Sequence, residues 1–403
     1  MEDSLRLVEL GGVVLGLALL SRLAVRFGFS PIPLYLLGGL AFGRGGIVPL
    51  VTSEEFIEVG ASIGVVLLLL ILGLEYSTDE LLATLRTSRI SGVINAALNF
   101  TPGLVAGLLL GWSPLAAAFL GGVTYVSSSG IASKLLEDLR WLGNRETPVV
   151  LSILVMEDVS MAVYLPLISV LAAAGGLVAT LVSVVTALVT VAVVLFVAIR
   201  HGALISRALS ARSNEGLLLS LLGVTLLVAG LLEAAGVSAA VGAFFVGLAL
   251  SGPVAERARP LLEPLRDLFA AVFFVFFSLE IDPSSIAAVI WPALALAVVT
   301  AATKAFAAGI AARRAGVRSR GQWRAAILLL PRGEFSIAIA AIAVAAGVEP
   351  QLGPLAAAYV LVLAIAGPTA ALVAGRRLTS HRAPAAASSA RSLWPSVARG
   401  ASE

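Results

Sequence analysis

Glu157 and Asp158 stand side by side in an apolar stretch with no other charge between Glu146 and Arg200. Pro148 suits a first helical position. A helix begun there sets the pair about nine to ten residues in, roughly 13–15 Å along the axis. That is close to the midplane of a ~30 Å hydrocarbon core. An ionisable side chain at such depth costs several kcal/mol and by default marks an ion or proton path. The two carboxylates lie about 100° apart around the helix, so they meet different neighbours. A carboxylate so placed can trade a proton for a monovalent cation near neutral pH, which is the physical core of cation/proton exchange. Asp158 is the stronger candidate for that carrier. Glu157 fits either a second carrier or a structural carboxylate held by a buried base.

Three further groups belong with the pair. Lys304 is the only Lys or Arg in the middle of an Ala-rich apolar run, nine residues from Arg313. Unpaired, it would be as costly as an acid, so its simplest partner is Glu157 or Asp158. Tyr125-Val126-Ser127-Ser128-Ser129-Gly130 interrupts one apolar run and Pro331-Arg332-Gly333-Glu334 interrupts another. Gly and Pro in these positions predict helix breaks, tolerated at membrane depth only where they line a cavity or pack in protein. Freed carbonyls and the hydroxyls of Ser127, Ser128 and Ser129 suit a partly dehydrated monovalent cation, although hydroxyls in a helix also bond back to their own backbone. Arg332 and Glu334 either neutralise the exposed helix ends or form one internal ion pair.

The elements that must position these residues follow from composition. The chain has 403 residues, 59% hydrophobic and 13% charged, with a mean hydropathy of +1.02 and a pI near 9.6. Soluble domains run near 25% charged, so this is an all-α polytopic membrane protein. It has no Cys and two His, His201 and His381, both in basic flanks. Thiolate chemistry is excluded and a His metal site disfavoured. No nucleophile–base set is visible, so neither an enzyme nor a cofactor is expected. The first apolar segment, 7–25, lacks a basic leader and a cleavage site and reads as a retained helix.

Thirteen transmembrane helices are predicted, over 5–25, 31–43, 55–75, 89–111, 114–138, 147–173, 176–200, 215–235, 237–252, 260–280, 284–313, 321–347 and 351–375. Residues 380–403 read as a disordered cytoplasmic tail. Arg6 and Arg44 fall on one side of such a plan, Lys304 and Arg332 fall inside helices, and the other Lys and Arg residues fall on the opposite side. The positive-inside rule then places the N-terminus outside and the C-terminus in the cytoplasm. Glu75, Glu280 and Asp282 read as boundary residues at helix ends.

The chain also repeats. LLILGLEYSTDEL and FVFFSLEIDPSSI align at an offset of about 205, pairing Glu75 with Glu280. Gly38 and Gly43 pair with Gly242 and Gly247 at about the same offset, and Val126 falls on Pro331. Two six-helix repeats joined by the 176–200 span are thereby inverted, a common transporter plan with its site at the midplane between broken helices.

In order and spacing, YLLGGLAFG, IGVVLLLLILGLE, VSSSGIASKLL, MEDVSMAVYLPL, GVSAAVGAFFVGLALS, FFSLEID and PRGEFSIAIA resemble the monovalent cation/proton antiporters of the Kef-type (CPA2) branch, over residues ~5–375. The resemblance implies a sodium/proton-antiporter fold. In it, a dimerisation domain (~5–75 and ~215–280) meets a mobile core domain (~89–173 and ~284–375), and two broken helices cross beside the ion site. It maps Asp158 onto the ion- and proton-carrying aspartate and Lys304 onto the basic residue of the core. It further implies a homodimer in a bacterial-type inner membrane, with no nucleic-acid partner.

Potassium-efflux members usually carry Gln before this Asp, and electrogenic sodium/proton antiporters carry a second Asp. Glu157 departs from both and leaves cation and stoichiometry open. The chain is most similar to the short Kht-type members, which lack a fused nucleotide-binding domain and work with a separate cytoplasmic regulatory subunit. The expected function is K+/H+ antiport. Two alternatives stand beside it. One is Na+/H+ antiport with a Glu157–Lys304 pair supplying a second proton. The other is a cation channel or sodium-coupled organic-anion symporter on the same fold.

Overall fold

A computed structural model describes residues 2–26, 31–43, 63–64, 66–67, 69–71, 73–74, 78–173, 189, 213–234, 239–250, 253–279 and 281–378. Its helices are α1 (Glu2–Arg26), α2 (Ile32–Phe42), α3 (Thr78–Leu109), α4 (Pro114–Tyr125), α5 (Ser129–Asp138), α6 (Thr147–Ala173) and α7 (Asn214–Ala234). They continue with α8 (Ala239–Ala249), α9 (Pro253–Leu279), α10 (Pro283–Arg314), α11 (Ser319–Leu328), α12 (Glu334–Ala345) and α13 (Leu352–Leu378). No strand occurs among the described residues. Glu75, Glu280 and the 380–403 tail lie outside the described residues, as do most of 55–75 and all of the expected 176–200 span but residue 189.

Local chemistry sets the helix ends. Ser113 caps α4 by accepting from Ala116 N, with Pro114 in the first turn; Asp282 caps α10 by accepting from Ser284 N, with Pro283 following. That amide holds the Asp282 carboxyl below the usual carboxylate range. At three exits Gly takes positive φ, at Gly111, Gly316 and Gly347. The next amide then reaches back to a final-turn carbonyl, as Val317 N does to Ala312 O and Val348 N to Ala343 O. Two helices are longer than their apolar runs predict. α3 begins at Thr78 and α9 at Pro253, through charged turns that satisfy helical propensity but carry no hydropathy signal.

Five described helical segments are long and apolar enough to cross a membrane, among them Ile90–Leu109, Asn214–Leu232 and Leu352–Ala374. Their outward faces carry Val93, Leu109, Leu227, Leu231, Trp291, Val298 and Phe306, all exposed. Contiguous apolar exposure of this kind fits a lipid solvent. The interior is built on Phe273, Phe274, Phe276 and Phe277 of α9, Phe119 and Leu120 of α4, and α12 and α13. A second apolar cluster joins α5, α6, α10 and α11.

The repeat is visible in the packing. Gly43, after α2, lies against Leu279 of α9, while Gly247 of α8 lies against Leu70, Gly73 and Leu74. Leu74 and Leu279 are separated by the same offset as the aligned Glu residues, so each half packs its Gly-rich helix on the other half's matching helix.

α3 and α4 also pack on small residues. A Cβ at Gly103 would collide with the Leu120 carbonyl and Thr124 Oγ1. Gly103→Val is therefore expected to destabilise by about 1–3 kcal/mol through overpacking, read as a lowered thermal midpoint in detergent. An unchanged midpoint would show that α3 is free to move off α4.

Candidate functional site

Both expected helix breaks are present, and they cross. The chain is non-helical over 126–128, between α4 and α5, and over 329–333, between α11 and α12. Ser128 N donates to Pro331 O at 2.9 Å, and Ser127 Oγ donates to Leu329 O at 3.0 Å. Ser128 Oγ donates to Glu334 Oε2 at 3.1 Å, and Ser336 Oγ donates to Val123 O at 2.8 Å. Ser127 and Ser128 thus bond mainly across the crossing rather than back along their own helix. Ser129 opens α5. Gly333 is needed here because a Cβ would meet Ser128 Oγ at 2.6 Å.

The acid pair sits on α6 beside this crossing, with Glu157 at 0% and Asp158 at 1% exposure. Lys304 Nζ, equally buried, donates to Glu157 Oε1 at 2.6 Å and to Tyr125 O at 2.9 Å. Of the two partners expected for Lys304, Glu157 is the one paired with it. Glu157 Oε1 also accepts from Asn95 Nδ2 at 2.7 Å, and Oε2 accepts from Ser127 N at 2.7 Å. An ion pair taken out of water needs such supporting hydrogen bonds to offset its desolvation.

Of the two readings open for Arg332 and Glu334, the structure has each at a helix end and not paired with the other. The fully buried Arg332 turns back onto its own helix end, with Nη1 donating to Leu329 O and Leu330 O, both at 3.0 Å. Glu334 lies in the first turn of α12, where helix N-termini favour an acid. The two crossing segments are therefore matched in kind. Lys304 faces the carbonyl end of α4 and Arg332 faces the carbonyl end of α11, each cation against a negative helix terminus.

Sequence reading missed the polar side chains that hold these cations. Arg332 Nε donates to Tyr359 Oη at 3.1 Å, and Tyr359 Oη lies 2.9 Å from Thr300 Oγ1. Asn99 Nδ2 donates to Asn95 Oδ1, Thr303 Oγ1 to Asn99 Oδ1, and Thr124 Oγ1 to Asn99 O. The signal was in the repeat: at an offset of 205, Asn95 falls on Thr300 and Asn99 on Lys304. These are paired polar steps, one turn apart, within the apolar stretches of two helices. Tyr359→Phe removes the Nε partner of a buried guanidinium and is expected to cost about 1.5–3 kcal/mol. Thermal unfolding in detergent checks it; a shift no larger than that of an exposed Val→Ala control would contradict it.

The chain matches known proteins over most of its length. Residues 13–374 match the family described as sodium/hydrogen exchanger, transmembrane. The K(+)/H(+) antiporter subunit KhtU of Bacillus subtilis (strain 168) is 35% identical over 369 residues, which cover 89% of this chain and 91% of the relative. The ammonium/H(+) antiporter subunit AmhT of Alkalihalophilus pseudofirmus is 27% identical, covering 84% and 86%. The sodium proton antiporter MjNhaP1 from Methanocaldococcus jannaschii, solved at pH 8, superposes with a TM-score of 0.68 over 94% of this chain and 100% of its own, at 16% identity. It shares the fold. With a match over nearly the whole described length, the chain belongs to the transmembrane sodium/hydrogen exchanger family.

Proposed function

We propose that this protein is a secondary active monovalent cation/proton antiporter, with K+ as its first cation, and that Asp158 binds a cation or a proton but not both. The observation that carries the reading is the crossing of two unwound segments beside a buried acid pair. There, backbone groups freed from helices stand near an ionisable carboxylate at membrane depth. Glu157, held by Lys304, Asn95 and Ser127 N, is the fixed member of the pair, and Asp158 is the member that changes its load. Ser127, Ser128 and Ser129 border the cation's position, and Lys304, Arg332 and Glu334 compensate charge around it. K+ is supported by the potassium antiporter KhtU. AmhT and MjNhaP1 are named for ammonium and sodium, so Na+ is tested beside K+.

Transport proceeds by alternating access. Helices α3–α6 and α10–α13 move as a core against α1–α2 and α7–α9, which hold a second copy in a homodimer. The Lys and Arg distribution supports an external N-terminus and a cytoplasmic C-terminus. KhtU is named as a subunit, which supports a separate regulatory partner here.

The test is dequenching of a pH dye in acid-loaded proteoliposomes on addition of K+, Na+ or Rb+ in turn. K+ is expected to dissipate the gradient at the lowest concentration. Cation-driven current without proton movement would overturn the reading in favour of a channel.

A further inference from the structure

Asn95, on α3, touches both members of the buried ion pair. Its Nδ2 donates to Glu157 Oε1 at 2.7 Å, and its Oδ1 accepts from Lys304 Nζ at 3.3 Å. The amide cannot turn over without loss. Its Oδ1 also accepts from Asn99 Nδ2 at 3.0 Å, the same Nδ2 donates to Asn95 O at 2.8 Å, and Asn99 Oδ1 accepts from Thr303 Oγ1 at 3.2 Å. A reversed Asn95 would set an oxygen against the Glu157 carboxylate and an NH2 against the donors of Lys304 and Asn99.

With Asn95 in place, the three donors of the Lys304 ammonium are matched to three acceptors: Glu157 Oε1, Tyr125 O and Asn95 Oδ1. A deprotonated amine would offer two donors to three acceptors and turn its lone pair on one of them. It would also leave Glu157 as a buried carboxylate without its counter-charge. Among the described residues, the other ionisable groups facing this region include Asp158 on α6, Tyr125 at the end of α4, Arg332 and Glu334 at the second break and Tyr359 on α13.

We propose that Asn95 is a positioning residue that keeps the Glu157–Lys304 pair closed through the cycle, so that Lys304 retains its proton and one proton exchanges for one monovalent cation. The proposal rests on Asp158 being the carrier. Electroneutral exchange is its consequence. With Lys304 protonated throughout, a proton or a monovalent cation on Asp158 raises the charge of the site by the same amount. Both loaded forms then cross the membrane with equal charge.

The experiment is a null-point measurement on the purified full-length protein in proteoliposomes, with the potential held near zero by permeant thiocyanate. For one-for-one exchange, a tenfold cation gradient is balanced by about one pH unit. Balance at about half a unit, the two-proton value, would overturn the proposal. Asn95→Leu is expected to move the balance below one unit and to add a second titration to the pH–rate profile, while Asn95→Gln, which keeps an amide, retains the wild-type profile shape. If Asn95→Leu only scales the rate, with balance and profile shape unmoved, Asn95 is a packing residue and the positioning role fails. Asp158→Asn separates the two ideas. Exchange persisting in that variant defeats the carrier reading, whereas a silent Asp158→Asn with half-unit balance in the wild type defeats this proposal alone.

Discussion

Asp158→Asn is expected to lower cation-driven proton exchange by about 100-fold or more, the scale on which a positioned proton-transfer group contributes, with the fold unchanged. The substitution is isosteric and removes only the group that can hold either a proton or a cation. It leaves the neighbouring frame in place, because Glu157 draws its donors from Lys304, Asn95 and Ser127 N. Exchange per mole of monodisperse protein is the measurement, with the thermal midpoint as the control for folding. Asp158→Glu, which keeps the charge and shifts it by one methylene, is expected to retain measurable exchange with an altered cation KM. Full activity in Asp158→Asn would mean that Glu157 or another group carries the proton.

The second large effect is on stability. Lys304→Met leaves Glu157 as a buried carboxylate facing Asn95 and Ser127 N alone and strips the cation from the carbonyl end of α4. Glu157→Gln leaves the Lys304 ammonium without its carboxylate. Each single change is expected to destabilise by about 3–5 kcal/mol, the usual cost of breaking a buried pair by removing one partner. The double variant is expected to lose much less than the two together, because no uncompensated charge remains. Thermal unfolding of all four proteins in one detergent gives the coupling. Additive losses would show that the 2.6 Å contact contributes no coupling to stability.

The general plan was readable from the chain because its strongest signals are ones that lipid imposes. Apolar runs long enough to span, the two Gly- and Pro-marked breaks and the lone acid pair each have few structural alternatives at membrane depth. Helix limits were less clear where hydropathy and helical propensity part. The charged turns that open α3 and α9 are helical without being apolar. Partnerships were least clear. The sequence admitted either acid for Lys304 and either Glu334 or a helix end for Arg332, whereas the fold gives Lys304 to Glu157 and turns Arg332 onto carbonyls of its own helix end. Those choices depend on which face of α6 and α10 meets α3, a packing outcome that charge spacing along one helix does not encode. Asn95 and Asn99 went unnoticed because amides carry no charge to draw attention in an apolar run. Only their register with Thr300 and Lys304 in the repeat marks them.

A shared site makes a kinetic demand that a mutation series does not test. If cation and proton compete for Asp158, then lowering the pH below the titration of the site must raise the cation KM, approaching about tenfold per pH unit, while the maximal rate at saturating cation stays the same. Initial rates of exchange in proteoliposomes, taken over a matrix of K+ concentration and pH, measure this directly. The expected result is a family of curves that share one maximal rate and differ in KM. A maximal rate that falls with pH while KM stays fixed would contradict competition and place the proton and the cation on separate groups.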